Sequence, residues 1–351
     1  MDYSLLTPYR VPPRMAAYKI PNLGDGFILR AIERLLAPRR SVGCYSTRIA
    51  PGAAARKAMQ QAKTVVIAGA NQLDDRYRIW PGFDAQQLRE ASWRFVPFGL
   101  GYNGEPNRNE RMSELTRELL EAVHERIEYS SWRCPVTLRY LQRELPHLSD
   151  RFLMTGCPVL LDTPLLESQR FHAGESHVAV TSTERGDFWD RETRLLQTVA
   201  RLWPKARRSF VVHQDFRRPS WIARLRSRDT PAVADPARAF ALREFAAKLG
   251  FEVVVPPGAD EARYFYESVD LHVGSRLHAH LLLLSRNRRS WLLPIDGRAL
   301  GMAEAFSYPL LDAQTIESSL ENALGYDFEP LREQARAAHV TMQRFIASWA
   351  A

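Results

Sequence analysis

The residues best suited to chemistry sit in one stretch, Val269-Asp-Leu-His-Val-Gly-Ser-Arg-Leu-His-Ala-His, which runs directly into Leu281–Leu284. The apolar positions up to Val273 read as a strand, Gly274-Ser275 as a tight turn, and the leucine-rich continuation as a helix spanning Arg276–Leu284. A helix start carries unpaired backbone N–H groups and the positive end of the macrodipole, so it favours an anion. A cation there costs a few tenths to about 1 kcal/mol unless something negative offsets it. Arg276 therefore needs an anionic partner, either a structural carboxylate or a bound phosphate or carboxylate gripped by its guanidinium fork. His278 has an ordinary pKa near 6.5, which suits proton transfer at working pH, while taken alone it reads first as a buried structural histidine. His272, His278 and His280 do not form a metal set, because no carboxylate completes a ligand spacing and helical i, i+2 residues point apart. No metal is expected.

A second loop of interest lies near the start, in Pro21-Asn-Leu-Gly-Asp-Gly-Phe-Ile-Leu-Arg. Asn22, Gly24 and Asp25 stand at a strand-to-helix turn, where backbone and short polar side chains can approach a ligand; Asp25 as a plain N-cap is the competing explanation. Val65-Val-Ile-Ala-Gly-Ala-Asn and Phe95-Val-Pro-Phe-Gly-Leu-Gly-Tyr-Asn are two more strand-end loops of small residues. Neither completes a GxGxxG followed by its acidic residue, and no phosphate-binding P-loop is present.

The elements that must position these loops alternate between short apolar runs and longer amphipathic segments, the pattern of βα units around parallel sheets. Strands are expected at Ser41–Ser46, Thr64–Ala68, Arg94–Phe98, Arg126–Tyr129 and Phe152–Thr155, with helices at Gly26–Leu36, Glu110–His124 and Pro135–Leu145. Asp162 to Glu175 has neither period and reads as a linker. A second series follows, with strands at His177–Thr181, Arg208–His213, Phe251–Val255, Leu271–Val273 and Ser290–Leu293 and helices at Asp190–Leu202, Pro236–Leu249 and Ala259–Glu267. Apolar residues recur at helical spacing from Leu331 to Trp349. The expected fold class is α/β, two doubly wound Rossmann-like domains (1–162 and 176–326) facing a cleft, with 327–351 as a closing helix. Such a cleft lies beyond the carboxyl ends of the strands.

Composition narrows the class. At 351 residues, 45% hydrophobic and 25% charged, the chain has enough apolar material for two cores, so disordered and fibrous classes are excluded. No apolar run approaches a membrane span, and the acidic, proline-interrupted first residues do not read as a signal peptide, so a cytoplasmic location is expected. Cys44, Cys134 and Cys157 have no disulfide or zinc spacing. The net charge of +8 favours anionic partners, but the basic residues are dispersed among acids, which fits solvated helix faces better than a nucleic-acid groove.

Taken in order, these motifs resemble the polysaccharide pyruvyl transferase family across most of the chain. Asn22 to Asp25 matches its early N-x-G-D turn, Val65–Gly69 its strand and glycine turn, Gly99-Leu-Gly101 its G-x-G loop, Arg276-Leu-His278 its R-L-H segment and Asp296-Gly-Arg298 its D-x-R. Three positions depart from the pattern, all in the first half: Ala70 replaces a second glycine, Arg133-Cys134 an arginine-aspartate and Cys157-Pro158 an aspartate-proline.

The resemblance implies a fold similar to the GT-B glycosyltransferases and transfer of pyruvate from phosphoenolpyruvate to two sugar hydroxyls, forming a ketal. It implies a donor site on the second half, built from Ser275, Arg276, Leu277, Arg185 and His280, with His278 as general acid. Asn22, Gly24 and Asp25 would meet the acceptor, Asp25 also orienting or deprotonating it, and His213, Asp296 and Arg298 would complete the cleft. No cofactor is implied beyond phosphoenolpyruvate as donor. The expected partners are that donor, a sugar or lipid-linked glycan acceptor and a peripheral membrane-surface contact, without specific nucleic acid. A GT-B-like transferase using a nucleotide sugar and a non-catalytic polyanion-binding protein remain the alternatives.

Overall fold

The structure is a computed structural model describing residues 2–12, 21–103, 110–168, 170–183, 185–214 and 236–350. The first half runs β1 (Tyr3–Thr7), α1 (Leu23–Leu35), β2 (Ser41–Ser46), α2 (Ala53–Ala62), β3 (Thr64–Ala68), α3 (Ala85–Glu90), β4 (Arg94–Phe98), α4 (Glu114–His124), β5 (Ser130–Trp132), α5 (Pro135–Glu144) and β6 (Phe152–Met154). The short helix α6 (Thr163–Glu167) then leads to β7 (His177–Thr181), α7 (Trp189–Leu202), β8 (Arg207–Val211), α8 (Pro236–Lys248), β9 (Glu252–Val254), α9 (Ala259–Glu267), β10 (Leu271–Gly274), α10 (Leu277–Leu284), β11 (Arg289–Leu292), α11 (Gly297–Ala305), α12 (Ile316–Ala323) and α13 (Glu329–Ala350).

Both sheets are parallel. The first has the order β2-β1-β3-β4, and the pair β5-β6 continues from its edge through a bridge between Leu100 and Trp132. The second has the order β11-β10-β7-β8-β9. Strand β1 is a central strand, pairing β2 on one side and β3 on the other, and all five of its residues are buried. Sequence reasoning placed no strand there, because Tyr-Ser-Leu-Leu-Thr is short, half polar and ends against Pro8. Its neighbours decide its conformation: pairing satisfies the backbone on both edges, and the buried Thr7 Oγ1 accepts from the Tyr9 N–H at 3.2 Å.

Other boundaries move by a few residues. The strand expected at Arg126–Tyr129 forms at Ser130–Trp132, because the Arg126 guanidinium turns back to the carbonyls of Ala91 and Trp93 while the Ser-Ser-Trp segment enters the core. The helix expected from Gly26 starts at Leu23, since the Asn22 side chain caps it by accepting from the Gly24 N–H at 3.1 Å. The segment expected as a bare linker contains α6.

The architecture is therefore α/β, with two Rossmann-like halves. The halves meet where α1 packs on α9 and α10 and where the Leu23 N–H donates to the His213 carbonyl at 3.0 Å. The final helix leaves the second half and covers the first. Its Phe345 ring packs edge-on against Phe98, and its last carbonyls accept from Arg94 and Arg39. Among the described residues no helix is long and apolar enough to cross a membrane.

Candidate active site

Three strand ends converge on one cavity of about 240 Å³. From the second half, the turn after β10 supplies Ser275, Arg276, Leu277 and His278. The loop after β11 supplies Ile295, Asp296 and Arg298, and the end of β8 supplies His213 and Gln214. From the first half come Asn22 and Gly24 at the start of α1. Nine residues singled out from sequence thus share one wall-to-wall site, as expected for a cleft at the carboxyl ends of parallel strands.

Arg276 is the N-cap residue of α10, with extended backbone at φ −95° and ψ 103°, one position before the helix in which it was expected. Its Nε donates to the Ser182 carbonyl at 2.7 Å, and its backbone N–H to Thr181 Oγ1. The carbonyl fixes the direction of the guanidinium and leaves it lining the cavity. Asp296 caps α11 and binds Arg298 through both oxygens, with the shortest contact at 2.6 Å. Burial alone would raise its pKa, but the Arg298 guanidinium and backbone N–H outweigh burial and hold the carboxyl below the usual range.

His278 is buried, and among the described residues its Nε2 has no hydrogen-bond partner. Burial, reinforced by the positive charges of Arg133, Arg298 and Arg276, holds the imidazole well below its ordinary pKa. The unperturbed value assumed from sequence is therefore corrected: in the unliganded site the ring is neutral at pH 7. The ring fits only because residue 24 is glycine. A Cβ there would stand 2.5 Å from His278 Nδ1, so contact between the halves depends on a missing side chain.

Other expectations are revised. His280 is fully buried behind the site, its Nδ1 bonded to Ser290 Oγ at 2.8 Å and its ring against Tyr308, and it does not reach the cavity. Helical geometry turns it away from His278 toward the sheet. Arg185 is held in its own loop by Asp187 at 3.0 Å and by the Phe188 ring, and it lines a separate small recess. Asp25 is buried in the first turn of α1 and is neither the cap, which is Asn22, nor part of the cavity wall. His213 does line the cavity, but its Nε2 is engaged with the Tyr266 hydroxyl at 2.6 Å. His272 bonds Thr181 and Ser290, and His280 bonds Ser290.

Arg133 was not singled out as a site residue. Its side chain is fully buried beneath the cavity, where its charge acts on both His278 and Asp296. One Nη2 donates to Asn71 Oδ1 at 2.7 Å, while Nε and Nη1 have no partner. Gly101 makes the room, since a Cβ there would lie 2.2 Å from Nη2. The sequence signal was present in the Gly99-Leu-Gly101 loop and the Arg133-Cys134 pair, but their meeting is a long-range fact. Cys134 and Cys157 are buried free thiols; burial pushes Cys157 up to about 11, so it is not a reactive thiolate.

The sequence matches no protein-family model and no curated protein. The chain is similar in structure to UDP-GlcNAc 2-epimerase from Methanocaldococcus jannaschii, with 10% identity over 98% of this chain and 100% of that one and a TM-score of 0.48. It is also similar to a putative UDP-N-acetylglucosamine 2-epimerase from Listeria monocytogenes, with 11% identity, coverage of 99% and 95%, and a TM-score of 0.49.

Proposed function

We propose that the protein is a pyruvyl transferase that takes phosphoenolpyruvate as donor and a sugar diol of a glycan as acceptor. The observation that carries this reading is the composition of one cavity wall: Arg276 at the start of α10, Arg298 and its partner Asp296, and the buried His278 with a free ring nitrogen. A small donor bearing a phosphate and a carboxylate suits a helix start flanked by two guanidinium groups. Apart from the histidines, the described lining residues include no aromatic ring.

In this scheme the methylene carbon of phosphoenolpyruvate accepts a proton and C2 becomes oxocarbenium-like. One sugar hydroxyl bonds to C2, the C2–O bond to phosphate breaks with its electrons leaving on phosphate, and the second hydroxyl closes the ketal. Two hydroxyl protons are lost; one balances the new methyl C–H and the other leaves with phosphate. His278 is the proton donor. Because burial keeps its ring neutral, it becomes an acid only when the donor's negative charge favours the imidazolium. Arg276 and Arg298 hold the donor, and Asn22 and Gly24 border the acceptor side.

The test is calorimetric binding of phosphoenolpyruvate, paired with phosphate release in the presence of sugar acceptors. Parent protein should bind the donor and Arg276→Ala should not. Equal affinity in the two proteins would remove the donor site from this cavity, and donor-independent binding of UDP-sugars would move the reading to the nucleotide-sugar alternative.

A further inference from the structure

Behind the cavity, one buried ion pair on α7 holds two of the three segments that form its second-half wall, the turn after β10 and the loop after β11. Arg191 and Glu192 are 8% and 2% exposed. Arg191 Nη1 donates to the Pro294 carbonyl at 2.8 Å and Nη2 to the Leu293 carbonyl at 3.2 Å, fixing the loop that carries Asp296 and Arg298. The same Nη2 donates to Ser275 Oγ at 3.1 Å, and the Ser275 hydroxyl donates to Glu192 Oε1 at 2.6 Å, fixing the turn that carries Arg276 and His278. Among the described residues, Glu192 Oε2 and Arg191 Nε are buried without a hydrogen-bond partner of good geometry. The pair is thus tied to the site through one hydroxyl that itself lines the cavity.

We infer that Glu192 is a positioning residue whose protonation state gates anion binding at the Ser275–Arg276 turn. A buried carboxylate one hydroxyl away from an anion site repels the incoming anion; the protonated acid still accepts from Ser275 and carries no such charge. The groups facing Glu192 are Arg191 on its own helix, Arg276 at the start of α10, and Arg185 and Arg238 across the small recess, Arg185 being already paired with Asp187. Burial prevails over the charges of Arg191 and Arg276 and the hydrogen bonding of Ser275 and the Thr183 backbone, and pushes Glu192 up to about 7, so the switch falls within the working range.

This inference extends the donor-site reading but is tested with sulfate, whose charge is constant across the range, as well as with phosphoenolpyruvate. Calorimetry at pH 6 and pH 8.5 should show parent affinity for sulfate falling roughly tenfold as pH rises. Glu192→Gln, a permanent mimic of the protonated acid, should flatten that fall and at pH 8.5 bind sulfate more tightly than the parent, a gain that structural damage does not produce. A parent profile without the fall, which needs no variant, or a Glu192→Gln protein no tighter than parent at pH 8.5, overturns the inference. Gated sulfate binding without phosphoenolpyruvate binding would sink the transferase reading while leaving the gate intact. Phosphoenolpyruvate binding with an ungated sulfate profile would do the reverse.

Discussion

The two halves share a parallel sheet flanked by helices, but they place polar groups differently: the first half keeps its buried network at the β5–β6 edge, where His124 and Trp132 meet Ser130 and Ser131 meets Thr155. In the first half, strands β1, β3 and β4 bury mainly aliphatic and phenyl side chains, and its loops approach the cavity through glycines. In the second half a chain of polar contacts crosses the sheet itself. His272 joins Thr181 on β7 to Ser290 on β11, Ser290 also accepts from or donates to His280, and His177 bonds Ser209 on β8, all at 2.8 Å. Such networks are stabilising only when satisfied, and they fix one arrangement of the elements they join. The first half lends the cavity space and one buried guanidinium, Arg133, while the second half provides the ionisable groups of its lining.

The largest effect expected from this contrast is kinetic. His278→Gln keeps a hydrogen-bond donor but delivers no proton, so phosphate release should fall by about 10²–10⁴-fold with donor affinity little changed. Replacing His280, which sits in the network behind, should lower the melting temperature more than the rate. A His278→Gln enzyme with near-parental turnover would move the acid elsewhere.

Gly24→Ala tests the other side of the comparison. The added methyl would meet His278 Nδ1 at 2.5 Å, so one half must shift against the other. Donor binding and turnover should both drop by at least tenfold, with a lowered melting temperature. An unaffected Gly24→Ala protein would show that the halves are not in register as described.

Acid should distinguish the halves next. Burial holds His272 down at about 3 and His124 at about 4, and His213, His278 and His280 also lie well below 6.5. Between those values and 6.5 the unfolded chain binds more protons than the folded one, so stability rises with pH there. The contribution is complete above about 6.5 and is lost as pH falls toward 4, at on the order of 3 kcal/mol for a fully buried ring. Four of these five histidines are in the second half. Hydrogen exchange at pH 4.5 should therefore open the second sheet before the first, and simultaneous loss of protection would break the comparison.

The smallest effect concerns the ion pairs that link the halves at the surface, Arg30 with Asp260 at 2.5 Å and Arg139 with Glu304. All four side chains are at least 39% exposed, so Asp260→Asn or Glu304→Gln should cost no more than about 1 kcal/mol, less at high salt. A larger loss in urea titration would mean that surface charge, not the α1 contact and the Leu23–His213 bond, holds the cleft.

The sequence made much of the second-half site legible because its signal is local: a strand, a two-residue turn and a helix start place Ser275, Arg276 and His278 together whatever the rest of the chain does. Asp296 and Arg298 follow the same logic one strand later. Arg185 was misplaced because its capture by Asp187 and Phe188 depends on rotamers, and His280 because facing is set by the sheet beneath it. Arg133 and Glu192 read as ordinary charges on amphipathic helices or at their starts, and only tertiary packing shows that both are buried. Strand β1 was missed for the same reason, its conformation being dictated by β2 and β3 on either side.

The last helix has a consequence for how the chain is made. Phe345, Ile346 and Trp349 are buried on the half that is synthesised first, so that half cannot bury its own core surface until the final residues have emerged. Domains generally fold as they leave the ribosome, the N-terminal one first. Here the second half, although translated later, completes its sheet with β11 at Leu292 and can fold while its predecessor still waits for a cover.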